Sequence, residues 1–333
     1  MKLSIWQKRV LRILASIAIV VGIFWFIPFH EVVRAFHGLR LEYVAIALVA
    51  NLISGYLEGV QLWILLKQAK VPTTLWTVME TKMTTRFYGQ FLPSELMAAG
   101  VKFYRLAEPT RQWGEVVATL VFFRVVNMGT LTLVGLVFWL IEMPEGPGRW
   151  IGVILVAMLL LLVFVHLILS SPRLARAAKR LHKTRWLSWL KGRLVDKVKK
   201  LTRVTIESYR LFHDSALVVI LLAIVRHAVG IVSFWILALS LGISLSFLTI
   251  GWIRVVLHAI MNVPITLGGI GVREGSLVLL LKEYGVSGGD AVALAFLLVV
   301  LTLVQNSTGG ILELRNLLRS ESKDPTPPVN APP

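Results

Sequence analysis

Eight charged residues set the chemical question. Arg124 and Arg226 lie well inside long apolar runs, and Arg86, Lys102, Arg105 and Arg273 flank two stretches broken by proline and glycine. Glu58 and Glu274 stand against them. A cation deep in hydrocarbon costs at least about 2.5–3.5 kcal/mol, so each calls for a counter-charge, water or an anionic ligand. Arginine forks match phosphate oxygens two at a time, so a surplus of cations in such a place points to a cavity for a phosphate-bearing headgroup. The alternative is that Arg124 and Arg226 pair with Glu58 or Glu274 and simply hold helices together.

The elements that position these charges are apolar helices. Of 333 residues, 56% are hydrophobic and 16% charged. About 20 consecutive apolar residues cross a bilayer as a helix, and such runs fall at roughly 10–28, 43–66, 116–141, 151–169, 216–241 and 290–312. The expected fold class is therefore an all-α polytopic membrane protein with about six full transmembrane helices. The first run follows Lys2, Lys8, Arg9 and Arg12 but ends Ile27-Pro28-Phe29 without a small-residue cleavage site, so a retained span is expected.

A formal net charge of +17 would suggest nucleic acid in a soluble chain. Here the basic residues collect between the apolar runs, where topology and anionic lipid headgroups explain them, and no nucleic-acid partner is expected. The segment 170–215 is the most basic, and Trp186, Trp189, Leu190, Leu194 and Val198 recur in it at helical spacing. It reads as an amphipathic helix in the headgroup layer or as a solvated basic linker. The positive-inside rule places it, the N-terminus and the C-terminus on the cytoplasmic side of the inner membrane. Residues 1–316 read as one integral membrane domain, and 317–333, ending "DPTPPVNAPP", as a disordered tail.

Two stretches fit neither span nor loop: 82–111 and 252–284. Each holds two helical pieces too short to cross at 1.5 Å per residue. Pro93 and Gly100 in the first overlie Pro264 and Gly271 in the second, with Gly268 and Gly269 between the latter pair. The same register carries the span 43–66 onto the fifth span and 116–141 onto the sixth. The reading is an inverted repeat over roughly 43–141 and 214–312, with two re-entrant hairpins entering from opposite faces. Such paired, interrupted segments mark the substrate site of secondary transporters.

Enzyme signatures are missing. No nucleophile elbow, zincin helix or paired catalytic carboxylate is found. His166, His227 and His258 stand apart from one another, so no metal is expected, and no cofactor either. "GGIGVREG" lacks the last glycine of a dinucleotide fingerprint, and no βαβ unit surrounds it.

"RFYGQFLPSELMAAGVKFYR", followed far downstream by "NVPITLGGIGVREGSL", resembles the integral-membrane region of lysylphosphatidylglycerol synthases, a flippase-like family. The resemblance spans roughly residues 8–316. In those synthases a separate soluble domain performs aminoacyl transfer, so the resemblance implies only the translocating half. It departs at Ala98-Ala99-Gly100-Val101-Lys102, where a glycine pair and an acidic residue are the family pattern. The expectation is a translocase for an anionic phospholipid or a polyprenyl-phosphate lipid, without a P-loop. A lipid-modifying membrane enzyme and a non-transporting lipid-binding scaffold are the alternatives, and oligomeric state is left open.

Overall fold

The computed structural model describes residues 29–91, 95–143, 148–170, 212, 214–261 and 270–321. The expected span 10–28, nearly all of the basic segment 170–215, and Pro93, Pro264, Gly268 and Gly269 lie outside them. Every described element is helical. In chain order these are α1 (Phe29–His37), α2 (Leu41–Gln68), α3 (Leu75–Phe91), α4 (Glu95–Ala107), α5 (Trp113–Glu142), α6 (Gly148–Ser170), α7 (Ala216–Ser240), α8 (Phe247–Met261), α9 (Val272–Lys282) and α10 (Gly288–Glu321). The protein is a polytopic helical membrane protein. Five helices, α2, α5, α6, α7 and α10, are long and apolar enough to span. Their outward faces are greasy: Val153, Ile154, Leu160, Leu161 and Phe164 on α6 and Leu217, Leu221 and Val225 on α7 are all exposed.

Two details differ from the sequence reading. The link 29–42 contains α1, whose Val32 packs against Val292 and Ala293 at the start of α10. The helix α10 also continues to Glu321, so the stretch from 317 to 321 is helical where a disordered tail was expected. Its residues "ELRNLLRSE" are mostly strong helix formers and extend the span.

The order span, two short helices, span occurs twice, as α2–α5 and α7–α10. Helix ends give its register. After α2, Lys70 takes φ 58° and Val71 N–H bonds the Leu66 carbonyl at 2.9 Å. After α7, Gly242 takes φ 77° and Ile243 N–H bonds the Ala238 carbonyl at 3.1 Å. The next helices then start alike: Thr74 Oγ1 accepts from Thr77 N–H at 3.1 Å, and Ser246 Oγ from Thr249 N–H at 3.0 Å. A side-chain oxygen at this position satisfies a free N–H of the first turn.

Corresponding residues in these turns are 172 apart, one more than the sequence register. The difference has a cause. Gly100 lies inside α4, whereas Gly271 is the N-cap of α9 with φ 83°. Gly100 is therefore no hairpin turn, and the two glycines are not equivalents.

Helices α2 and α7 run antiparallel along a polar ladder. Arg40 N–H bonds the Ser240 carbonyl at 3.0 Å, Ser233 Oγ the Ala47 carbonyl at 2.7 Å, Ser54 Oγ the Arg226 carbonyl at 3.2 Å, and Gln61 Nε2 the Val219 carbonyl at 2.9 Å. The steps are seven residues on both helices, the period of a left-handed packing seam. The ladder is also self-reciprocal. Gln61 and Ser233, the donors on either side of the Ser54 rung, are 172 apart, as are their acceptors Val219 and Ala47. Ser54 and Arg226 are 172 apart from each other, which sets a local two-fold axis between them at mid-helix.

The remaining contacts cross between the two units in the same reciprocal way: α3 packs on α10, and α8 on α5. Glycines allow the approach. A Cβ at Gly309 would overlap the Met83 carbonyl of α3, and one at Gly135 would come within 2.5 Å of Val255 on α8. Two apolar cores result. One gathers Phe234, Leu237, Trp252, Leu281 and Leu294; the other gathers Leu62, Leu65, Phe122, Phe212 and Val219. Along α2 and α7 a polar layer separates them, and it holds Ser54, Glu58, Arg226 and His227.

Candidate functional site

Glu58 projects from the middle of α2 and is the anionic centre of this layer. Lys82 Nζ of α3 lies 3.2 Å from Glu58 Oε2, and Arg86, one turn further along α3, donates to the same oxygen. An i, i+4 pair on one helix face presents both cations together. Lys82 also donates to the Gly55 carbonyl, one turn before Glu58. The Lys82 and Glu58 side chains are only 5% and 12% exposed, so this contact lies away from water. Arg226 and Lys102 also act electrostatically on the Glu58 carboxylate.

On the far side of α7 the pattern changes. Arg226 Nη2 donates to Asn127 Oδ1 of α5 at 2.6 Å and lies 3.0 Å from His227 Nε2, while its Nε is buried with no hydrogen-bond partner. His227 Nε2 is 3.1 Å from the Asn127 carbonyl. Arg254 of α8 lays its guanidinium against the backbone of α7, where a Cβ at Gly230 would fall 2.8 Å from its Cζ. Among the described residues Arg254 has no hydrogen bond and no ion pair; the charge beside it is that of Arg226. His258, one turn along α8, keeps accessible surface and lies within electrostatic reach of Arg254, Arg226, Arg124 and Glu58, which sit on four helices.

The two-fold relation extends to these groups. Lys82 and Arg254 are 172 apart, and so are Arg86 and His258. Each unit thus sends a basic residue and a second nitrogenous one from its first short helix toward the axis at Ser54 and Arg226. The carboxylate breaks the symmetry. Glu58 has Gly230 as its counterpart.

Of the residues expected from sequence, Glu58, Arg86, Lys102, Arg124 and Arg226 come together here. Arg105 does not join them by contact: its Nη2 meets Glu313 Oε1 of α10 at 2.5 Å and its Nη1 meets Thr84 Oγ1 at 3.0 Å. Tyr88 OH donates to the same Glu313 oxygen at 2.8 Å. Glu274 is occupied at its own helix start, where its Oε2 accepts from Gly271 N–H at 2.6 Å, and Arg273 has Glu274 as its charged neighbour. The ion pairs that Glu58 makes are with Lys82 and Arg86, not with Arg226 as the alternative reading had it. Sequence reasoning left Lys82 and Glu313 out of the site, counted Arg254 only among the cations flanking the second interrupted stretch, and read His258 as isolated. The signal for Lys82 was its position four residues before Arg86, and for Arg254 the cap-to-cap register.

The lysylphosphatidylglycerol synthase TM region model matches residues 13–309. The chain belongs to that family. No characterised protein matches it. Membership in the lysylphosphatidylglycerol synthase TM-region family makes this a multi-pass membrane protein of lipid metabolism or transport.

Proposed function

We propose that the protein is a translocase for an anionic phospholipid or polyprenyl-phosphate lipid in the inner membrane, with the headgroup held at the cationic layer between α2, α3, α5, α7 and α8. One observation carries the reading: Lys82, Arg86, Lys102 and Arg226 surround a single carboxylate, Glu58, in the middle of spanning helices. Charge buried at that depth marks substrate pathways in membrane proteins. The antiparallel, reciprocal packing of α2 and α7 supports an inverted repeat, and the short helices α3, α4, α8 and α9, of 17, 13, 15 and 11 residues, support re-entrant hairpins. In such architectures one repeat rocks against the other around a fixed site near the midplane. The basic segment 170–215 and both termini then face the cytoplasm. The lipid crosses without a chemical step.

The test is reconstitution of the full chain in liposomes with fluorescent phosphatidylglycerol or a fluorescent polyprenyl phosphate, scored by leaflet-selective quenching. Wild type moves at least one of these lipids, and the recovered lipid has unchanged mass. Arg226→Ala abolishes the movement, while Arg273→Ala, whose neighbour is on its own helix, spares most of it. Undiminished movement in Arg226→Ala sinks the proposal.

A further inference from the structure

Within that translocase reading, we infer that the phosphate of the ligand binds in the second unit alone, on the Arg254 guanidinium that lies against Gly230, where it supplies the negative charge that Glu58 supplies in the first. The argument is one of local symmetry. In the first unit, Lys82 and Arg86 from α3 close on Glu58 of α2. Their counterparts 172 residues on are Arg254 and His258 of α8, and the counterpart of Glu58 is Gly230 of α7. The basic half of the arrangement is thus kept and the acidic half is missing. Arg254 lies against Gly230 with no hydrogen-bond or ion-pair partner among the described residues. Arg226, on the axis beside it, keeps a buried Nε without a partner.

An oxyanion beside the guanidinium of Arg254 answers each of these deficits. It supplies Arg254 with a counter-charge and Arg226 Nε with an acceptor. Planar guanidinium forks suit tetrahedral phosphate oxygens, and the bonds are charge-assisted. The first unit cannot compete, because its cations already hold Glu58. The ligand class is therefore a single phosphate group, carried by a lipid headgroup or free in solution, and the site takes one at a time.

Placing a carboxylate at residue 230 tests this directly. Gly230→Glu restores the missing acidic partner, and Gly230→Gln adds the same bulk without the charge. The guanidinium facing residue 230 is the end of a flexible side chain, so both fit by a shift of Arg254. With the full chain in nanodiscs, binding of fluorescent phosphatidylglycerol, fluorescent polyprenyl phosphate and inorganic phosphate is measured for each. The Glu variant loses affinity by about tenfold or more relative to the Gln variant, the worth of a charge-assisted contact, and it unfolds no earlier. Arg254→Gln loses a similar factor, with Arg254→Lys retaining part of it. Equal affinities in the Glu and Gln variants overturn the assignment, and so does full affinity in Arg254→Gln. If wild type moves lipid in liposomes but the Glu and Gln variants do so equally, the inference fails and the translocase stands. If lipid binds with the expected Glu-against-Gln difference but does not cross, the translocase fails and the site stands. A charge-sensitive site that takes inorganic phosphate and neither lipid assigns it to the free ion and overturns the lipid source.

Discussion

Glu58→Gln isolates what the buried carboxylate does for the fold. The substitution keeps the size of the side chain and one acceptor oxygen but leaves Lys82, with a 5% exposed side chain, and Arg86, 34% exposed, without their anion. Removing one partner from a buried ion pair costs about 3–5 kcal/mol, mostly for stranding the other charge. Arg86 reaches solvent and is largely screened, so its share is small. Lys82 retains its bond to the Gly55 carbonyl. The expected loss is therefore at the lower bound, about 3 kcal/mol. The assay is reversible unfolding of the full chain in mixed micelles, run as a double-mutant cycle with Lys82→Met. In the Glu58→Gln background the second substitution removes the stranded ammonium and recovers about 2 kcal/mol, a coupling well above the scatter of independent sites. A loss below about 1 kcal/mol, or a Lys82→Met change that adds to the loss, refutes the account of Glu58 as the anion for α3.

Two further predictions use the same unfolding assay. Gly309→Ala destabilises by about 1–3 kcal/mol because the added methyl meets the backbone of α3 at Met83, which cannot rotate away; Gly129→Ala, with open space at the same atom, is the neutral comparison. Gln61→Leu changes stability by less than about 1 kcal/mol, since the lost bond to the Val219 carbonyl is offset by removal of the buried, unpaired Gln61 Oε1; a large loss would mean that the ladder is held by that rung.

Hydropathy alone located the five described spans, the end of α10 excepted, because each carries a long apolar stretch with few charges and no tertiary context is needed to see it. It also singled out the two stretches that hold the short helices α3, α4, α8 and α9. The register between the units was less legible. Aligning the breaks placed Lys82 against Ile253, an unremarkable pair, whereas the caps Thr74-x-x-Thr77 and Ser246-x-x-Thr249 place it against Arg254. Those caps are written in the sequence and are the better ruler. Which cation meets which carboxylate was not legible. Glu58 is taken by α3, the next helix in the chain, and Arg105 by Glu313 more than two hundred residues away. Such choices are fixed by which helices pack side by side.

The axis between Ser54 and Arg226 has a mechanical corollary. When two similar halves exchange inward and outward shapes, only points on the line relating them stay put. On the translocase reading Arg226 is such a pivot, so its hold on a headgroup is the same whichever leaflet the site faces. Any difference between the two facing states has to come from groups whose counterparts differ. Glu58 against Gly230, where the Arg254 guanidinium lies in place of a carboxylate, is the sharpest such mismatch.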